Sequence, residues 1–136
     1  MTVASFGVND VMAVAELRAA LRQFLRRSER VARQSGLTPQ RYLLLLMIKG
    51  APGGSEQSTV TQLSERLQLA QSTVTELVRR AEEAGLVARE QSQTDARVAH
   101  LRLTAEGERR LMLSFTELDI ERAQLRDAFA QLDAAR

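Results

Sequence analysis

Apolar residues recur at spacings of three and four over Val14, Leu17, Leu21, Phe24, Leu25 and Val31, which predicts a long first helix capped by Asn9 or Asp10 and ended by Gly36. Thr38 followed by Pro39 reads as a cap and a first helical position, so a second helix is expected from Pro39 to Lys49, stopped by Gly50. Leu43 to Ile48 are all apolar, and a helix apolar on every side is buried between other elements. Ala51 to Ser58, with Pro52, Gly53 and Gly54, reads as an exposed loop too short to separate domains. Thr59 with Gln62 fits a capping box for a short third helix whose inner face is Val60, Leu63 and Leu67. The turn around Gln68 to Gln71 leads to a fourth helix, roughly Ser72 to Ala84, with Val74, Leu77, Val78 and Ala81 facing in and Gly85 closing it.

The period then changes from helix to strand. Leu86 to Glu90 and Val98 to Leu103 alternate as two strands joined by Gln91 to Arg97, and Thr104 caps a further helix. From Leu111 the residues Phe115, Leu118, Leu125, Phe129 and Leu132 keep a seven-residue rhythm, with Arg122 where an apolar residue is due. Arg122 marks a break between two C-terminal helices or a buried polar contact that fixes register. No partner for this rhythm is obvious within the chain, so the first and last helices are expected to pair with those of a second subunit.

Two short helices, a strand, an Arg-tipped turn, a second strand and a capped helix, in that order between Thr59 and Leu111, are the plan of a winged helix-turn-helix. Such a unit presents one helix to the DNA major groove and a hairpin to the backbone or minor groove. The expected architecture is mainly α with a small β-hairpin wing. Residues 1–136 form a single unit, 9–35 and 111–136 are dimerisation helices, and 38–110 are the winged DNA-binding region.

Composition narrows the chemistry. A chain of 136 residues with 44% hydrophobic but 4% aromatic content suits helices packed through Leu, Val and Ala. The absence of cysteine excludes disulfides and thiolate metal sites, and the single histidine, His100, cannot hold a metal alone. No nucleophile and base pair, metal cluster or Gly-rich phosphate loop is visible, so an enzyme is not expected and no cofactor is called for. No run approaches the ~20 apolar residues of a membrane helix, and no basic, then apolar leader opens the chain, so a cytoplasmic protein without a membrane partner is expected. The net charge is only +2 and argues little for DNA binding. Lys49 is the one lysine among 19 basic residues, and arginine suits phosphates and guanine edges, although codon bias explains this equally well.

Leu37-Thr38-Pro39-Gln40-Arg41-Tyr42-Leu43-Leu44, Ser72-Thr73-Val74-Thr75, Ala84-Gly85-Leu86-Val87-Ala88-Arg89, Asp95-Ala96-Arg97 and Leu103-Thr104-Ala105-Glu106-Gly107 occur together in this order. The set resembles the MarR family of winged-helix regulators over nearly the whole chain. The resemblance implies a homodimeric transcription factor, usually a repressor on a pseudo-palindromic operator in double-stranded DNA, with phenolic or other lipophilic effectors weakening that binding. At the N-terminal end of the fourth helix Gln71, Ser72, Thr73 and Thr75 are expected to meet phosphates and base edges, with helix capping the alternative role for Ser72. One of Arg79 and Arg80 is expected to reach the groove while the other pairs with Glu76, Glu82 or Glu83. Arg97 is expected to enter the minor groove as the wing tip, with Asp95 holding the turn, and Arg89 either adds a backbone contact or pairs with Glu90 or Glu108. Tyr42, Arg41 and His100 are amphipathic groups near the expected effector region and are not assigned to a ligand.

Three positions depart from the family pattern. The wing, often Asp-Pro-x-Asp-Arg-Arg, here reads Ser92-Gln93-Thr94-Asp95-Ala96-Arg97. Ala70 stands where a Ser, Asp or Asn cap is usual, and Glu76 where the helix is frequently basic. Glu76 either accepts from a cytosine amine or lowers DNA affinity. The competing reading is a winged helix used for protein contact or dimerisation, with weak or no DNA binding.

Overall fold

The computed structural model describes residues 6–134, so positions 135–136 of the C-terminal segment lie outside it. Its helices start where short polar side chains can replace missing backbone partners. Thr38 accepts from the Arg41 amide at 3.1 Å to open α2, Pro39–Lys49. Thr59 and Gln62 complete a reciprocal capping box at the start of α3, Val60–Leu67. Thr104 accepts from the Gly107 amide at 3.0 Å to open α5, Ala105–Thr116. The first helix, α1, differs from expectation. It spans Val8–Gln34 with Gly7 as its cap, and Asp10 sits in its first turn with its carboxylate on the Gly7 amide at 3.0 Å.

The α2 helix is the hub of the fold and contacts α1, α3, α4 (Gln71–Glu83), α5 and the second wing strand. Leu44, Leu45 and Ile48 of α2 are fully buried with Leu63 of α3, Val74 and Val78 of α4, and Leu86, Leu101, Leu111 and Leu118. The expected all-round burial holds at Leu44, Leu45 and Ile48, whereas Leu46 and Met47 are half-buried and Leu43 stays 40% exposed. Removing a leucine from such a site costs about 2–5 kcal/mol, so this cluster fixes how α4 is presented.

The hairpin pairs β1, Val87–Gln91, antiparallel with β2, Ala99–Leu103, in the register Val87 with Leu103 and Gln91 with Ala99. Ser58 adds a third edge. Its backbone exchanges hydrogen bonds of 3.1 and 2.8 Å with Leu101, and its side chain is buried. The segment Ala51 to Ser58 is therefore only partly the exposed loop expected. Pro52–Gly54 form a short 3-10 turn, while Ala51 and Ser58 are tied into the core. Periodicity could not show this, because one bridge is set by the β2 backbone and not by local spacing.

Helix α6, Asp119–Ala134, lies along α1 of the same chain. It buries Ala128, and Arg27 pairs with Glu121 at 3.3 Å. The expectation that the C-terminal rhythm lacks a partner within the chain is thus corrected. Heptad spacing does not distinguish a helix of the same chain from one of a second chain. The expected break between two C-terminal helices is present but lies at Glu117 and Leu118, between the end of α5 at Thr116 and the start of α6 at Asp119, so Arg122 falls in the first turn of α6. The Arg122 guanidinium lies 3.9 Å from the centroid of the Phe115 ring and donates to the Phe115 carbonyl, closing the end of α5.

Candidate nucleic-acid interface

The α3 to α4 turn places one helix outward. Gln68 takes a left-handed conformation with φ 57°, and Ser64 donates to the Leu69 carbonyl at 2.6 Å, which tightens the turn. On α4, Val74, Val78 and Ala81 point into the core, while Ser72, Thr73 and Thr75 lie off that stripe and Gln71 opens the first turn, and all four are exposed. Ala70 offers no side chain to the first amides of α4, which leaves those donors open to an anion. Because Ala70 has the extended backbone of a cap, at φ −63° and ψ 148°, Ala70→Ser should stabilise the fold by about 1 kcal/mol, read from thermal or denaturant unfolding. No gain would mean that the first turn is already satisfied.

Ser72, Thr73, Glu76, Leu77 and Arg80 line one surface hollow together with Gln40 from α2. Gln40 was not legible as a candidate, because its sequence position says only that it opens α2. A second hollow, between α3 and the wing, is lined by Thr59, Thr61, Arg89, Arg97 and Val98 among others. Thr61 is linked to Gln71 of α4 by a 3.4 Å side-chain contact. The candidate residues thus fall on two patches, the first turns of α4 and the wing.

At the wing tip, Ser92 donates its amide to the Val98 carbonyl at 2.9 Å, and the Asp95 carbonyl accepts from Val98 at 3.0 Å. The Asp95 carboxylate accepts from the Arg97 amide at 3.0 Å and from Arg97 Nε at 3.2 Å. These bonds, the backbone one foremost, hold the Asp95 carboxyl below the usual carboxylate range. The turn is fixed as expected, and the Arg97 side chain is 92% exposed.

Charge pairing departs from expectation at two places. Both Arg79 and Arg80 pair with Glu76, whereas one of them was expected to be free for the groove. Arg79 binds Glu76 through Nε at 2.9 Å and Nη2 at 2.5 Å, and also meets Glu83. Arg80 Nε meets Glu76 at 3.0 Å. Positions 76, 79, 80 and 83 lie three or four apart, so one helix face carries the whole cluster. Arg79, then Arg80, bring the Glu76 carboxyl down to about 2. Arg89 pairs with Glu82 of α4 at 2.9 Å, not with Glu90 or Glu108, because the strand runs back beside that helix.

Tyr42 is buried, and that burial pushes its hydroxyl up. No helix is long and apolar enough to cross a membrane, and among the described residues no group of three His, Cys, Asp or Glu is placed to hold a metal.

A helix-turn-helix whose second helix shows a polar outer turn, followed by an arginine-tipped hairpin, defines a winged helix-turn-helix protein. Residues 35–98, the winged region, match the MarR family. It is similar to the solved structure of a MarR family protein from Bacillus stearothermophilus, with 27% identity, a TM-score of 0.70, and 90% of this chain and 79% of that chain covered. It is similar to Streptococcus pneumoniae FabT in complex with DNA, with 26% identity, a TM-score of 0.59, and 67% and 61% covered. A mutant of MarR from E. coli complexed with operator DNA shares the fold, with 18% identity, a TM-score of 0.69, and 96% and 95% covered. No curated protein gives a significant match.

Proposed function

We propose that the protein is a homodimeric repressor that binds a pseudo-palindromic operator through α4 and the wing. The observation that carries this reading is the outward display of Gln71, Ser72, Thr73 and Thr75 on a helix pinned by Val74 and Val78, beside a wing ending in Arg97. DNA-bound relatives of the same fold support it. Release by a small lipophilic or phenolic effector is carried over from the family resemblance alone. Footprinting on a selected duplex should show two protected major-groove segments about one helical turn apart, 10–10.5 bp between centres. Protection of a single segment would contradict the dimeric reading.

Dimerisation by residues 9–35 and 111–136 is supported by apolar side chains left uncovered on α1, α5 and α6. Val8, Val11, Met12 and Val14 on α1, Met112 and Leu113 on α5, and Ile120 and Phe129 on α6 are each 47–72% exposed. Large apolar side chains left uncovered along these three helices are the kind of surface that a second copy would cover. Val11→Asp combined with Phe129→Asp should give folded monomers by light scattering, since neither side chain is part of the buried core. Dimers unaffected by both changes would overturn the assignment.

The second reading, a protein-contact module with weak DNA binding, is favoured by the paired state of Arg79 and Arg80 on the outer face of α4.

A further inference from the structure

Glu76 pairs with both basic side chains on the outer face of α4, and Arg79 also meets Glu83. Glu76 sits one turn beyond Ser72 and Thr73 and lines the same hollow, so a base edge that meets the first turn of α4 also meets Glu76. The geometry points to Glu76 as the specificity-determining residue of α4, withholding Arg79 and Arg80 from arbitrary DNA and releasing them where a cytosine amine takes their place on the carboxylate. This inference rests on the proposed function and deepens it.

The argument is one of competing partners. In the free protein Glu76 satisfies two guanidiniums at 2.5–3.0 Å. A phosphate that draws either arginine away leaves a carboxylate facing a polyanion, and that repulsion opposes binding at every sequence alike. In the free protein its two arginines keep the carboxyl ionised well below neutral pH, and an ordinary Glu carboxyl, with a pKa of about 4.3, stays charged at neutral pH when they leave. The major groove offers one good exit. The cytosine N4 amine is a donor to which a carboxylate can bond, whereas the adenine amine lies beside the N7 acceptor, which repels the second carboxylate oxygen. Glu76 therefore taxes non-specific contact and is relieved at cytosine, so it raises the ratio of specific to non-specific affinity at some cost in affinity. Arg80, held by Glu76 alone, is the first of the two to be freed, since Arg79 keeps Glu83.

The test is site selection from random duplex DNA with the full chain and with Glu76→Gln, together with the affinity of each for unselected duplex. The parent should enrich cytosine at one position in each half-site. Glutamine matches the adenine N6 and N7 pair, so Glu76→Gln should exchange that cytosine for adenine. Its affinity for unselected duplex should rise about tenfold, with a salt slope steeper by roughly one to two. Glu76→Ala should lose the cytosine without gaining adenine. If the parent selects a site but Glu76→Gln keeps both the same bases and the same affinity for unselected duplex, the role of Glu76 is overturned and the proposed function stands. If neither protein enriches any sequence at low salt, the proposed function fails, and this inference with it.

Discussion

Gly107→Ala should lower the folding free energy by about 3 kcal/mol and the thermal midpoint by roughly 10 °C, the upper end of what overpacking costs. A Cβ at Gly107 would lie 2.1 Å from the Leu86 carbonyl oxygen. That oxygen cannot withdraw, because it accepts from the Thr104 amide at 3.0 Å and Leu86 itself is buried in the core. The neighbouring Gly85 carbonyl is held by the Thr104 hydroxyl at 2.6 Å. One threonine and one glycine therefore clamp the start of α5 to the segment joining α4 to the wing. This clamp explains the Leu103-Thr104-Ala105-Glu106-Gly107 run as a packing device rather than a binding motif. An unchanged midpoint in Gly107→Ala would show that α5 can slide, and the clamp would be discarded.

Arg97→Ala should weaken operator binding by about 1–3 kcal/mol, roughly ten- to a hundredfold, and leave folding and assembly unchanged. Its side chain is 92% exposed and its ion pair is with Asp95 of the same turn, so stability has little to lose. The pair with Asp95 holds the guanidinium close to the turn, and a phosphate or a minor-groove edge replaces that partner on binding. The salt slope should fall by about one, because one fewer cation meets the DNA. Unchanged operator affinity would remove Arg97 from the interface. Asp95→Asn, which keeps an acceptor for the Arg97 amide, should have the smaller effect.

Local chemistry was legible in the sequence, and long-range pairing was not. Thr38, Thr59 with Gln62, and Thr104 marked helix starts because a cap acts within three residues of itself. The α1 start was misplaced to Asn9 or Asp10 because Gly7 carries no capping side chain, and the Asp10 carboxylate works from inside the helix. The bridge of Ser58 to Leu101 and the pair of Arg27 with Glu121 join residues far apart in the chain, where no periodicity reaches. The same reason hid the packing of α6 along α1 of the same chain, which buries Ala128 and leaves the heptad residue Phe129 uncovered. At the interface, the inward face of α4 revealed its outward face, so Ser72, Thr73 and Thr75 could be read from spacing, and Gln71 from its place at the start of the helix. The capture of both Arg79 and Arg80 by Glu76 could not, since four charged residues at three- and four-residue spacings allow several pairings. Arg89, expected to add a backbone contact or to pair with Glu90 or Glu108, pairs with Glu82 instead, a neighbour set by how β1 returns beside α4.

The central claim, that this winged helix reads DNA as a symmetric pair, is tested most directly by selecting binding sites for the purified protein from random duplex DNA and titrating the best one against salt. Recovery of a pseudo-palindrome whose affinity falls steeply with salt is the predicted result. No enrichment, with only weak binding at low salt, would contradict it and favour a protein-contact role for the wing and α4.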